Sequence, residues 1–261
     1  MAIFVTGDTH SEPLPRLEAL CKSEEKSRET PLTKEDVVII AGDFGVIWWD
    51  DSTKYKRLED YTLDKLENMP FTTLFIDGNH ENFNRLMRFP VESGYGGKVG
   101  VLRPSVLHLR QRGHVYTIDG RKIWCFGGGI SVDKNYRSEG ISWWPQEEPS
   151  TAEYCYGLNQ LEKHNWEVDF VVTHAGPSGA VDAMELPPLR ESFGDKVYEY
   201  DPVSPYLEHV SRKLRFKKWF FGHYHKDHKD IKEISSVTAS SSVSSEEGNF
   251  TAMHHYVYEL L

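Results

Sequence analysis

The chain has 261 residues, of which 39% are hydrophobic and 27% are charged, and its formal net charge is −10. This length suits one large α/β domain or two small ones, and no disulfide bonds are needed for stability. The acidic charge repels long polyanions, so extended nucleic acid is a disfavoured partner, although a short nucleotide is not. The apolar runs are too short to span a membrane and the N-terminus lacks signal-peptide features, so we expect a cytoplasmic protein without a membrane partner.

Short β-branched or aromatic runs, bounded by glycine, proline or charged residues, predict strands rather than helices. In chain order these runs are Ile3–Thr6, Val37–Ala41, Thr72–Ile76, Ile123–Phe126, Phe170–Thr173, Trp219–Phe221 and Tyr256–Leu260. The second run is apolar throughout, which is typical of a strand covered on both faces.

Helical patterns lie between some of these strands. One pattern repeats an apolar or semi-polar residue every three or four positions and ends at Pro70. Its members are Tyr55, Leu58, Thr62, Leu66 and Met69. Ser204 and Pro205 predict the N-cap and first turn of a later helix. Strands that alternate with helices indicate an α/β sandwich.

The domain organisation follows from the remaining segments. We expect a single domain over residues 1–261, since no internal repeat is visible. Residues 128–160 are rich in aromatic and turn-forming residues and predict an irregular insertion over one end of the sheet. The serine-rich segment Ser235–Glu247 predicts a mobile loop before the last strand.

Five of the predicted strands are followed directly by side chains that can bind metals. The segments are Gly7-Asp8-Thr9-His10, Gly42-Asp43-Phe44-Gly45, Gly78-Asn79-His80-Glu81, His174-Ala175-Gly176-Pro177 and Gly222-His223-Tyr224-His225. In four of them a glycine comes first, and glycine lets the backbone turn sharply without a Cβ clash. Ligands bind outside the carboxyl ends of strands in open α/β sheets, so we expect these segments to converge on one site.

The candidate metal ligands are two carboxylates, one amide and four imidazoles: Asp8, Asp43, Asn79, His10, His174, His223 and His225. This set suits Mn²⁺, our first expectation, with Fe, Zn²⁺ or Ni²⁺ as alternatives. Seven ligands exceed what one such ion takes, so we expect two divalent ions that share a bridging carboxylate. Taken singly, Asp8 and Asp43 could instead be helix caps and His174 an ordinary core histidine, whereas His223 and His225 are a poor structural choice without a metal.

Several other residues have two interpretations. The amides of residues 127–129 could form an anion nest or only a tight turn. Lys134, Arg137 and the pair Trp143-Trp144 could line a substrate mouth or form a small aromatic core of the insertion. The basic residues between Arg212 and Lys218 could steer phosphate or be a solvated helix end.

The ordered motifs D-x-H, GD, GNH-E, H and GH-x-H, from Asp8 to His225, resemble those of the calcineurin-like metallophosphoesterase superfamily. The resemblance implies a four-layer α/β fold, in which helices flank a two-sheet β-sandwich. It also implies that Asp8, His10 and His225 hold a first metal. Asn79, His174 and His223 would hold a second, Asp43 would bridge both, and His80 would act as the general acid.

The chain departs from one branch of this superfamily. The serine/threonine protein phosphatases carry Asp-Arg-Gly after the second motif, whereas Gly42-Asp43-Phe44-Gly45 continues here as Val46-Ile47-Trp48-Trp49. Ser11 also stands where glycine usually follows the first motif. A protein phosphatase role is therefore disfavoured. The aspartate that would orient His80 in that branch is also missing, and Asp50 or Asp51 could orient His80 instead.

The expected activity is hydrolysis of a phosphomonoester or phosphodiester bond in a small or nucleotide-like substrate. A water that bridges two divalent cations loses a proton near neutral pH, and the resulting hydroxide attacks phosphorus while His80 protonates the leaving oxygen. One alternative is a nuclease or cyclic-nucleotide phosphodiesterase, which the acidic charge disfavours in its extended-substrate form. Another is a scaffold that kept the fold without catalysis, which the complete ligand set disfavours.

Overall fold

The computed structural model describes residues 1–187, 201–231 and 249–260. Its strands, in chain order, are β1 (Ile3–Thr6), β2 (Val37–Ala41), β3 (Thr72–Ile76), β4 (Val91–Gly94), β5 (Gly97–Arg103), β6 (Val106–Leu109), β7 (His114–Ile118), β8 (Arg121–Phe126), β9 (Phe170–Thr173), β10 (Lys218–Phe221), β11 (His228–Ile231), β12 (Asn249–Ala252) and β13 (Val257–Glu259). Its helices are α1 (Pro13–Ser27), α2 (Thr53–Glu67), α3 (Phe83–Leu86), α4 (Thr151–Lys163), α5 (Ser178–Asp182) and α6 (Val203–Ser211). Single 3-10 turns lie at Lys134–Tyr136 and Pro145–Glu147.

Within the described residues the strands form two mixed sheets. The first has the order β13-β1-β2-β3-β6-β5-β4, and the second has the order β11-β12-β10-β9-β8-β7. Strands β1, β2, β3 and β6 run parallel in the first sheet, as do β8, β9, β10 and β12 in the second. The carboxyl ends of these central strands therefore share one edge of each sheet.

The two sheets pack face to face, with helices on both outer faces. Because successive strand residues point to opposite faces, Ile39 of β2 lies in the core between the sheets with Val172 of β9, while Val38 packs outward with Leu63 of α2. On the opposite side, Trp219 of β10 lies in a cluster with apolar residues of α4 and α6. Central strands are thus covered on both faces, as the continuous apolar runs predicted, and the α/β sandwich is confirmed.

Two element boundaries differ from the sequence prediction. Helix α6 begins at Val203 with Pro202 as its N-cap residue, so Ser204 lies inside the helix. The carboxylate of Asp201, just before the helix, accepts a hydrogen bond from the Val203 amide at 2.9 Å. The irregular insertion was predicted to extend to residue 160, and this boundary was wrong. A capping box between Ser150 and Glu153 starts α4 at residue 151, so the irregular part ends at residue 150.

Some elements carry little hydrophobic signal and were missed. β4 is exposed or half-buried along its whole length, so its sequence lacks the apolar run that marks a buried strand. In α2, Leu58 was predicted to lie on the buried face but is 60% exposed. Leu63, which the predicted pattern did not include, is buried. The segment Ser235–Glu247 lies outside the described residues. Across the described part of the chain, no helix combines the length and apolar character required to cross a membrane.

Candidate metal centre

The five strand-end segments meet at one edge of the sandwich. Hydrogen bonds join the sheets there: the amide of His223 donates to Oδ2 of Asp8 at 2.9 Å, and Nδ1 of His174 lies 3.0 Å from the Ala41 carbonyl oxygen. Since that carbonyl is an acceptor, Nδ1 carries the proton. The structure brings together all eight side chains that the sequence indicated, namely Asp8, His10, Asp43, Asn79, His80, His174, His223 and His225.

Four of these side chains form a first donor group. The nearest ligand atoms of Asp8, His10, Asp43 and His225 all lie within 4.8 Å of one another. Nε2 of His10 is 2.7 Å from Nε2 of His225 and 3.6 Å from Oδ2 of Asp43. Nε2 of His225 is 3.6 Å from Oδ2 of Asp8. Two carboxylates and two imidazoles at this spacing can surround a single cation.

A second donor group surrounds the His174 ring. Its Nε2 lies 3.0 Å from Oδ1 of Asn79, 3.3 Å from Oδ1 of Asp43 and 3.2 Å from Nδ1 of His223. With the proton on Nδ1, the lone pair of Nε2 faces two further acceptor oxygens. A cation between these atoms satisfies all of them at once, so the donor set fits a metal ion.

Asp43 lies between the two groups. Its Oδ2 faces His10 and its Oδ1 faces His174, so each oxygen belongs to a different donor group. Oδ1 also accepts a hydrogen bond from the His80 amide at 2.7 Å, which fixes the orientation of the carboxylate. The side chain is fully buried, and its two oxygens face different donor groups.

Burial tunes the protonation of the donors. It lowers the pKa of His10 to about 4 and that of His223 to about 3, so both rings present lone pairs at neutral pH. Burial, reinforced by Asp43, raises the pKa of Asp8 to about 7 although His174 opposes the shift. Burial alone would raise the pKa of Asp43, but the neighbouring His174, His80 and His10 outweigh it and lower that pKa. The proximity of Asp43 and Asp8 likewise raises the pKa of His174 against its burial.

The glycines of these segments make room for ligands of neighbouring segments. A Cβ on Gly78 would lie 2.1 Å from Oδ1 of Asp43, and a Cβ on Gly222 would lie 2.2 Å from Oδ1 of Asp8. Neither glycine has a positive φ, so close approach and not a sharp turn requires them. Gly42, with φ 89°, does adopt the left-handed conformation that the sequence argument expected.

Several candidate ligands have a backbone conformation that is unusual for their residue type. The φ angles of His10, Asp43, His223 and His225 are 43°, 47°, 70° and 51°. Left-handed backbone at non-glycine residues costs free energy and is concentrated at functional sites. The packing around the site therefore holds these side chains in place against a local conformational preference.

His80 lies beside the donor groups. Its ring meets the His10 ring edge to face, with centroids 4.8 Å apart. Burial lowers its pKa, with Asp43 opposing the shift and Arg137 adding to it. The prediction that Asp50 or Asp51 orients His80 was wrong. Asp50 accepts a hydrogen bond from the Ser52 amide, and Asp51 pairs with Arg85 at 2.9 Å.

Two supporting carboxylates were missed because they lie far from the motifs in sequence. Nε2 of His223 lies 3.9 Å from Oδ2 of Asp201, an oxygen with no hydrogen-bond partner among the described residues. A metal-binding histidine commonly directs its second ring nitrogen at such a carboxylate. The other is Glu147, which accepts hydrogen bonds from the amide and hydroxyl of Ser131, while Ser131 Oγ accepts one from Asn79.

A buried ion pair supports the segment that carries Asn79. Arg112 donates to Asp77 through two nitrogens, one of them at 2.7 Å, and also donates to the carbonyl of Gln146 at 2.9 Å. Nε2 of His108 lies 3.2 Å from the same carboxylate. Burial alone would raise the pKa of Asp77, but the charge and hydrogen bonds of Arg112 and His108 outweigh burial, so the pKa is lowered. The pair connects the end of β3 to the irregular insertion.

The structure also decides between the alternative interpretations. The amides of Gly128 and Gly129 donate to backbone carbonyls at 3.0 and 3.1 Å, so they are not an anion nest. Trp144 is buried, which agrees with an aromatic core, whereas Trp143 is partly exposed. The basic residues after α6 lie at the start of β10, opposite the site, where Arg215 pairs with an acidic neighbour at 2.5 Å. They form a solvated, ion-paired surface.

Comparisons with known proteins find lariat debranching enzymes among the similar proteins. The chain is 29% identical to lariat debranching enzyme of Schizosaccharomyces pombe, with 74% of the chain and 43% of that protein covered. It is 26% identical to lariat debranching enzyme of Saccharomyces cerevisiae, with 77% and 52% covered, and 26% identical to that of Homo sapiens, with 86% and 42% covered. The chain thus spans about half the length of these relatives. The family model for calcineurin-like phosphoesterases matches residues 1–227, so the chain belongs to the calcineurin-like phosphoesterase family.

Proposed function

We propose that this chain is a two-metal phosphodiesterase whose substrates are nucleotide diesters. The observation that carries the proposal is the position of Asp43, whose two oxygens face separate groups of donor atoms. Two metal ions that share a carboxylate serve in-line displacement at phosphorus. Membership of the family, which implies a binuclear divalent-metal centre, supports the same interpretation.

We assign the first ion to Asp8, His10 and His225, and the second to Asn79, His174 and His223, with Asp43 bridging. The donor groups on the two sides of Asp43 support this division. Oxygen and imidazole donors without thiolate suit Mn²⁺ first, and Fe, Zn²⁺ or Ni²⁺ as alternatives.

The residues around the ions have separate roles in the proposed reaction. Held by these residues, two divalent cations would activate a water as the nucleophile and neutralise charge on the phosphoryl oxygens. The Ala41 carbonyl orients the His174 ring through Nδ1, and the Asp201 carboxylate lies 3.9 Å from Nε2 of His223, on the side of that ring away from His174. His80, beside the first donor group, donates a proton to the departing oxygen.

A nucleotide diester is a narrower substrate class than the expected phosphomonoester or phosphodiester in a small or nucleotide-like substrate. The relatives are named lariat debranching enzymes, and debranching a lariat opens a phosphodiester bond at a nucleic-acid branch. The net charge of −10 disfavours long electrostatic tracking along a polyanion, so we propose a short or branched diester as the substrate.

The test compares hydrolysis of bis-p-nitrophenyl phosphate, p-nitrophenyl phosphate and a dinucleotide, each with Mn²⁺, with Fe²⁺, Zn²⁺ or Ni²⁺ in its place, and with chelator. We expect Mn²⁺-dependent turnover of both diesters that exceeds turnover of the monoester. A preference for the monoester would reject the diesterase assignment. Absence of turnover on all three with every candidate metal would reject the enzymatic proposal and favour the scaffold alternative.

A further inference from the structure

The loop after β2 exposes two consecutive tryptophans, and the first of them lies beside His80. Phe44 and Ile47 of this loop are fully buried, whereas Trp48 is partly exposed and Trp49 is 48% exposed. An indole exposed to water lacks the stabilisation that burial of its apolar surface would give. Exposed aromatic groups beside a candidate active site indicate a binding surface. Trp48 and Trp49 are called the tryptophan step below.

The tryptophan step extends outward from the candidate general acid. The Trp48 ring lies 5.5 Å from the His80 ring, with an angle of 33° between their planes. Its other contact is the buried Trp144, which it meets edge to face at 5.2 Å. Trp49 stacks on Tyr55 of α2 at 4.5 Å with nearly parallel rings. Trp48 therefore lies against His80, and the next residue, Trp49, lies against α2.

The backbone of the step is fixed by polar contacts. The carbonyl of Trp48 accepts a hydrogen bond from Nδ2 of Asn82 at 3.0 Å, and the carbonyl of Trp49 accepts one from Nη1 of Arg85 at 2.9 Å. Arg85 also pairs with Asp51 at 2.9 Å, which anchors the residues that follow. Rings held in this way bind a flat ligand with little additional loss of conformational entropy.

We propose that the tryptophan step binds a nucleobase next to the scissile phosphate. This inference rests on the proposed diesterase function and names the part of the substrate that the loop recognises. Bases of every type stack on aromatic rings, so the step gives affinity for nucleotide diesters without sequence preference. The Lys54 ammonium, 5.2 Å from the centre of the Tyr55 ring, adds positive charge beside the stack for a neighbouring backbone phosphate.

The experiment compares a dinucleotide with the same diester in which one base is replaced by hydrogen. Wild type should prefer the complete dinucleotide in kcat/KM, and Trp49→Leu should reduce this preference about 5- to 150-fold, the equivalent of about 1–3 kcal/mol for one stacked base. Trp49→Phe, which keeps an aromatic ring, should retain most of the preference. Tyr61→Leu is the matched control. Tyr61 is a 55% exposed aromatic residue of helix α2, the helix that carries Tyr55, and it lies outside the proposed stack.

Binding is measured in parallel by calorimetry with Mn²⁺ and phosphonate versions of both diesters, in which a methylene group replaces the leaving oxygen and prevents hydrolysis. Turnover of both diesters by wild type with no preference between them would overturn the base-binding inference and leave the diesterase function intact. An equal preference in wild type and Trp49→Leu would do the same. If no diester is hydrolysed, the proposed function fails. The calorimetry then tests the inference separately: tighter binding of the complete dinucleotide by wild type, lost in Trp49→Leu, would support it, and equal binding of both diesters would overturn it.

Discussion

Glu147 holds Ser131 through two hydrogen bonds, 2.8 Å from the amide and 2.7 Å from the hydroxyl. Ser131 Oγ in turn accepts a hydrogen bond from Nδ2 of Asn79 at 3.2 Å. Because the nitrogen of the Asn79 amide is directed at Ser131, its oxygen faces the second donor group. The irregular insertion therefore determines which atom of Asn79 is offered to a metal.

Ser131→Ala should weaken the second metal site without unfolding the chain. Loss of a supporting hydrogen bond to a ligand reduces metal affinity about 10- to 100-fold. Titration of the metal-free protein with Mn²⁺ should show one site of near wild-type affinity and one weakened site. Ser27→Ala, at an exposed position of α1, is the control and should bind as wild type does. Two unchanged sites in Ser131→Ala would contradict the positioning role.

Glu147 should make stability depend on pH. Burial raises the pKa of this carboxyl to about 7, so its contribution is fully present below the unfolded pKa of 4.5 and is lost as pH rises through about 7. The free energy of unfolding of wild type should therefore fall by up to about 3 kcal/mol relative to Glu147→Gln between pH 4.5 and 8. Urea unfolding of both proteins in chelator measures the difference, and parallel pH profiles would disprove the assignment.

Gly78→Ala should damage the metal centre through steric overlap. The new Cβ would lie 2.1 Å from Oδ1 of Asp43, so either the carboxylate or the backbone must move, at a cost of about 1–3 kcal/mol or more. Mn²⁺ binding and thermal unfolding report both effects. Gly120→Ala is the control: Gly120 has φ 73° but no atom within 4 Å of its Cβ position, so it should lose stability and keep its metal affinity. Similar Mn²⁺ affinity in the two variants would contradict the close-approach argument.

Asp43→Ala should abolish metal-dependent hydrolysis while the fold survives. Removal of the carboxylate between the two donor groups leaves neither proposed ion with its full ligand set. Circular dichroism and diesterase assays test the two parts of the prediction. Glu162→Ala, on the exposed face of α4, should retain wild-type turnover. Turnover by Asp43→Ala at the wild-type rate would exclude a bridging role.

His80→Ala should retain its metals and slow hydrolysis most for poor leaving groups. A general acid matters more as the departing oxygen becomes more basic, because that oxygen then needs a proton in the transition state. A series of aryl diesters with rising leaving-group pKa should therefore give a steeper rate dependence in the variant. The same slope in both proteins would assign His80 to charge stabilisation instead of proton transfer.

The sequence determined the fold class and the convergence of the candidate ligands. Apolar runs such as Val37–Ala41 mark central strands, and side chains placed directly after such strands meet at one sheet edge because parallel strands end on the same side. Both features depend on local order along the chain. For this reason Asp43 and His174, 131 residues apart, could be expected at one site before any distance was known.

Only the tertiary structure decided what supports and surrounds those ligands. The sequence around Glu147 and Asp201 gives no sign of their position, because local sequence does not distinguish a buried carboxylate beside the candidate metal site from an exposed one. The role of Gly78 as space for Asp43 and the position of Trp48 beside His80 likewise depend on contacts between separate segments. Such contacts are fixed by the packing of two sheets and an irregular insertion, which no periodicity within a single segment describes.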